Sequence, residues 1–173
     1  MRKLRAEAAC LSKAEPEDIY PLLKNSATYP FWSMIEYFEL IKPGRDELHD
    51  VGAQRIFKTG RNVMHEEIVE LIPNRLVAYT LLSGFPMLDY RAETLLDRLP
   101  GGGTRITWRC SFHPKYWGTG WFWQLVMRVV LRSFVRALAR AAEDPPRREE
   151  ILASGQGNST SKQMIPSSQE RPG

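Results

Sequence analysis

The 173 residues suit one domain able to bury a core of its own, and a hydrophobic content of 43% speaks against global disorder. With 24 Lys and Arg against 20 Asp and Glu, the net charge is only +4, too small and too scattered to imply nucleic acid without a basic patch. The opening "MRKLRAEAACLSKAEPED" has basic residues but no apolar run behind them, so it does not read as a secretory signal; the expectation is a cytoplasmic protein with Cys10 and Cys110 reduced.

In chain order, Arg2 to Ser12 sets Leu4, Ala6, Ala8 and Cys10 on one side against Arg5 and Glu7, which predicts a strand. "SKAEPEDIYPLLKN" places Pro16 and the acids Glu15, Glu17 and Asp18 where a helix begins, with Ile19, Leu22 and Leu23 as its apolar face. "SATYPFWSM" reads as a second short helical turn. Strands are then expected at Ile35–Ile41, Ala53–Thr59, Val63–Leu71, Leu76–Ser83, Leu88–Leu96 and Arg105–Phe112, divided by "KPGRDELHDVG", "GRN", "IPNR", "GFP" and "RLPGGGT". Connections this short favour an antiparallel meander.

The segment "WGTGWFWQLVMRVVLRSFVRALARAAE", residues 117–143, predicts a long amphipathic helix. Trp123, Met127, Val130, Phe134, Leu138 and Ala141 form one apolar stripe, and Arg128, Arg132, Arg136 and Arg140 lie opposite. A transmembrane helix needs ~20 mostly apolar residues, and Arg128 interrupts the run too early. Peripheral membrane or protein contact through the arginine face stays open. Residues 145–173, rich in Pro, Gly, Ser and charge, are expected to be a disordered tail after a domain at 1–144. The "NST" at 158–160 matches a glycosylation acceptor, which carries no meaning without export.

Strand, two short helices, six strands and a long terminal helix is a distinctive order. Together with "AEPEDIYPLLKNSATYPFWS", "VGAQRIFKTGR", "EEIVELIPNRLVAYTLLSG", "DYRAETLL", "GGGTRITWRCSF" and the helix after "WGTGW", it resembles the START-like helix-grip superfamily (SRPBCC), in particular its polyketide cyclase/dehydrase-like branch. The resemblance covers residues 3–142. It implies an α+β fold: a seven-stranded curved antiparallel sheet, two short helices after strand 1, and one long C-terminal helix gripping a hydrophobic tunnel. It also implies binding of lipids, polyketide-like or aromatic molecules, with cyclisation or dehydration in some members and no universal catalytic motif. In that arrangement the first and last strands adjoin, which would make Cys10 and Cys110 neighbours.

Strand parity and the apolar stripe of the long helix supply the candidate ligand-binding residues Phe57, Tyr79, Tyr90, Trp108, Cys110, Phe112, Trp123, Met127 and Phe134, with Tyr79 on a strand apolar on both faces. In "NVMHEEIVEL" one face is Val63, His65, Glu67, Val69 and Leu71, the other Met64, Glu66, Ile68, Glu70 and Ile72. The first is slightly the more apolar and would send His65 and Glu67 inward as acid–base candidates beside Tyr79 or Tyr90; the reading favoured over it is a solvated outer strand with both at its edge, because charged side chains are seldom buried. His49, His65 and His113 show no metal-ligand spacing, no serine sits in a nucleophile elbow, and "GGG" at 101–103 reads as a flexible hairpin. No metal or cofactor is expected. The function expected is a monomeric binder of a small hydrophobic molecule, as carrier or sequestering module, with a cyclase or dehydratase as the alternative.

Overall fold

The computed structural model describes residues 3–160, with side chains to residue 157. β1 (Leu4–Ser12) leads into α1 (Pro16–Lys24), a 3-10 turn (Ser26–Thr28) and α2 (Tyr29–Trp32). Six strands follow: β2 (Tyr37–Lys42), β3 (Gln54–Thr59), β4 (Asn62–Ile72), β5 (Leu76–Ser83), β6 (Met87–Arg98) and β7 (Thr104–Pro114). The chain then forms α3 (Gly120–Glu143) and α4 (Pro145–Thr160). Every strand pair is antiparallel, and the sheet runs β1-β7-β6-β5-β4-β3-β2. The expected α+β helix-grip architecture is therefore the observed one: a meander from β2 to β7, β1 paired to β7, and a long helix over the concave face.

Local chemistry explains the elements. Pro16 opens α1 with its φ already near helical values, Glu17 and Asp18 face the positive end of the helix dipole, and Ile19, Leu22 and Leu23 are fully buried. Alternation sorts β6 and β7 as parity predicts: Tyr90, Ala92, Thr94 and Leu96, then Ile106, Trp108, Cys110 and Phe112, all point into the core. Their outward partners pair by charge instead, Arg91 with Glu70 and Glu93, and Arg109 with Glu93. The "GGG" turn is tied rather than loose. Gly103, at φ +81°, donates its N–H to Glu15 Oε1 at 2.9 Å, and an added Cβ would come within 2.4 Å of the Ser12 carbonyl oxygen.

Two expectations are corrected here. Residues 145–160 form α4 where a disordered tail is expected; residues 161–173 lie outside the described residues. A short helix docked on an existing domain needs one contact rather than a core of its own. Ile151 supplies it, 4% exposed. Gly155 permits close approach to Thr28 and Asn25, and Arg148 pairs with Asp18 at 3.0 Å while donating to the Ala142 carbonyl at 2.8 Å. Cys10 and Cys110 sit on adjoining strands as implied, yet Ala6 faces Cys110 and Cys10 faces Ile106. Four residues of offset, ~13 Å at strand rise, lies beyond disulfide reach, and both thiols are free.

Candidate functional site: a cavity under the long helix

Between the sheet and α3 lies a cavity of about 270 Å³. Phe57, Tyr79, Tyr90 and Trp108 form its floor, one from each of β3, β5, β6 and β7. Trp123, Val126, Met127, Val130 and Phe134 form its roof on α3 at helical spacing. Ring-on-ring contacts hold the helix off the sheet: Phe134 packs edge-on to Trp108 with centroids 5.1 Å apart, and Trp123 lies 5.7 Å from Phe85. The aromatic side chains around the start of α3 divide between two faces. Phe122 and Trp123 line the cavity, whereas Trp117 and Trp121 project outward, 92% and 71% exposed. Arg128, Arg132, Arg136 and Arg140 are exposed on the far side of α3.

One ionic pair interrupts this apolar wall. Arg55 on β3 and Glu66 on β4 are directly opposed across the strands and both are buried. Arg55 donates from Nε and Nη2 to the same oxygen, Glu66 Oε2, at 3.1 and 3.0 Å, and from Nη1 to Ser26 Oγ at 2.8 Å. The guanidinium also lies 4.9–5.4 Å from the ring centroids of Phe57, Tyr79 and Tyr29. Burial raises the Glu66 carboxyl above the usual carboxylate range, and the Arg55 guanidinium offsets part of that rise. A neutral Glu66 would leave a lone buried cation, so the pair is held ionised. Glu66 lines the cavity; Arg55, sealed behind it, does not.

The hydroxyls nearby are neutral. Burial raises Tyr79 and Tyr90 well above the ordinary phenol value of 10, and Tyr29 to about 12. Tyr79 accepts a hydrogen bond from Trp108 Nε1 at 3.2 Å, and its ring centroid lies 6.4 Å from that of Tyr90. These phenols are hydrogen-bonding groups at neutral pH and not bases.

Of the residues expected to bind ligand, Phe57, Tyr79, Tyr90, Trp108, Trp123, Met127 and Phe134 meet at the cavity. Cys110 and Phe112 share the inward face but are spent in the packed core, where burial raises the Cys110 thiol to about 11. His65 and Glu67 are not brought to the cavity. The first half of β4 turns Met64, Glu66 and Ile68 inward, and a bulge between Ile68 and Glu70 then lets Leu71 pack on the core. Glu67 instead accepts from Gln54 Nε2 at 2.8 Å, and His65 Nε2 is buried without a hydrogen-bond partner among the described residues. Sequence reading missed Arg55 and Glu66, although a signal existed. An inward Phe57 forces Arg55 inward two residues earlier, and a buried arginine calls for a carboxylate on the next strand.

Among the described residues no group of three or more His, Cys, Asp or Glu could hold a metal ion, and no helix is long and apolar enough to cross a membrane. Residues 3–143 match the family model described as polyketide cyclase / dehydrase and lipid transport. The chain belongs to that family. Solved structures agree at the level of fold. The chain is similar to a START superfamily protein from Mycobacterium smegmatis, at 14% identity and a TM-score of 0.70 over 80% of this chain and 97% of that one. It is similar to the protein XoxI from Bacillus cereus, at 16% identity and a TM-score of 0.70 over 82% and 97%. The Aha1 dimer from Colwellia psychrerythraea aligns at 18% identity and a TM-score of 0.62 over 81% and 96%. No curated protein matches the sequence. The family description spans an enzymatic and a transport class.

Proposed function

We propose that this family member holds one compact, mainly apolar molecule between its sheet and α3, as a carrier or sequestering module without turnover. The observation that carries this reading is the cavity itself: aromatic and aliphatic on floor and roof, about 270 Å³, with a single carboxylate in its lining. That volume is near the lower end of the ~300–1,000 Å³ typical of small-molecule sites. An apolar cavity of ~150 Å³ already admits benzene, so two or three fused rings suit this one better than a two-chain lipid.

The cyclase or dehydratase reading would require a free acid–base group at the same cavity. Glu66 is the carboxylate available there, and its Oε2 is held by Arg55 rather than free to meet a substrate proton, which favours carriage. Solvent extraction of the purified protein followed by mass spectrometry tests the reading. The expected result is a lipophile of fewer than about twenty-five heavy atoms, near one per chain, a size set by the volume range of small-ligand sites. An extract with no such molecule, from a protein that also takes up no apolar fluorescent probe, would overturn it.

A further inference from the structure

We infer that Glu66 makes the cavity selective for an apolar molecule bearing a hydrogen-bond donor, a hydroxyl group above all, and against molecules headed by a carboxylate. This deepens the binding reading above and rests on the cavity being the ligand site.

The inference starts from how unevenly the ion pair is used. Both Arg55 contacts to Glu66 converge on Oε2, and Oε1 has no hydrogen-bond partner among the described residues. A carboxylate accepts through both oxygens, so Oε1 keeps its capacity unused in a wall that is otherwise nearly apolar. The positive half of the pair cannot compensate. Arg55 is fully buried, gives its third contact to Ser26, and is covered by the rings of Tyr29, Phe57 and Tyr79. Although the whole chain is basic, the charge the cavity presents is negative. The other polar side chains in the lining, Thr59, Asn62, Tyr29, Tyr79 and Tyr90, are neutral.

A ligand hydroxyl donating to Oε1 would gain a charge-assisted hydrogen bond in a site of low dielectric. An ether of the same shape leaves Oε1 unpaired, and an anionic head meets a like charge that it cannot escape by reaching Arg55. A fatty acid, the commonest apolar molecule with a polar head, is therefore the wrong cargo.

Three naphthalenes of one ring system test this on the full chain by titration calorimetry or by their own fluorescence: 2-naphthol, 2-methoxynaphthalene and 2-naphthoate. The expected order at neutral pH is naphthol tightest, by about tenfold over the methyl ether as befits one hydrogen bond to a charged acceptor, with naphthoate weakest. In Glu66→Gln the amide oxygen can still receive Arg55, but an NH₂ now faces the cavity. The naphthol advantage should fall to within about twofold, and both naphthoate and the methyl ether should gain, because the NH₂ donates to a carboxylate or an ether oxygen. Equal binding of naphthol and ether by the wild-type protein would overturn the inference, as would naphthoate binding as tightly as naphthol. Both ratios are read on the wild type, so they decide even if Glu66→Gln does not fold. Failure of all three compounds to bind would instead overturn the cavity as a ligand site.

Discussion

At the scale of single residues, Arg55 has the largest consequences for the least conspicuous signal. A guanidinium without solvent contact is tolerated because Glu66, Ser26 and three aromatic faces replace its hydration. Removing one partner strands the other. Arg55→Ala should lower unfolding free energy by about 3–5 kcal/mol in urea or thermal denaturation, leaving Glu66 without its counter-charge in an apolar wall. The double replacement Arg55→Met, Glu66→Leu should recover most of that loss, because an apolar pair needs no desolvation offset. A double variant no more stable than Arg55→Ala would count against the pair as the cause. The residues predicted at this scale divide by how much depends on register. Trp108 and Tyr90 lie on strands with clean alternation and were legible. His65 and Glu67 were not, because two consecutive glutamates and a bulge leave the pattern of β4 compatible with either face.

At the scale of elements, α3 and α4 make opposite points. The stripe on α3 keeps helical spacing from Trp123 to Ala141, and each of its residues is buried or lines the cavity, joined by Leu131 and Val135 beside it. For α4, composition misled. Its few apolar residues and two glycines resemble a solvated segment, yet Gly155 is what lets it lie against the Thr28 turn. A Cβ at that position would stand 2.8 Å from Thr28 Cγ2 and 3.1 Å from Asn25 Nδ2. Gly155→Leu is therefore expected to lift α4 from the domain. Hydrogen exchange over residues 145–157 should speed markedly, while the amides of β5, β6 and β7 keep their protection. Unchanged exchange in α4 would show that Gly155 does not control its docking.

At the scale of the whole molecule, the quantity that matters is the space left between helix and sheet. Phe134 on Trp108 and Trp123 on Phe85 act as props, and the volume they leave is what a ligand would fill. Val130, which reaches this space from the middle of α3, is the position at which to remove it. Val130→Trp should abolish uptake of 2-methoxynaphthalene while far-UV circular dichroism stays that of the folded protein. Ligand-induced stabilisation, about 2.7 kcal/mol for a wild-type protein at a hundred times Kd, should vanish with it. A variant that still gains stability from the ligand would locate binding elsewhere.

Periodicity and connection length determined which segments up to Glu143 are strands and helices, their antiparallel order, and the face of α3 turned inward, since those depend on spacing along the chain alone. Only the tertiary structure decided the inward face of β4, the burial of Arg55 with Glu66, the separation of Cys10 from Cys110 and the docking of α4. Each of those turns on where a neighbouring backbone lies, through a bulge, a cross-strand register or a glycine-permitted approach. The sheet and grip helix were thus legible, and the cavity's one charge was not.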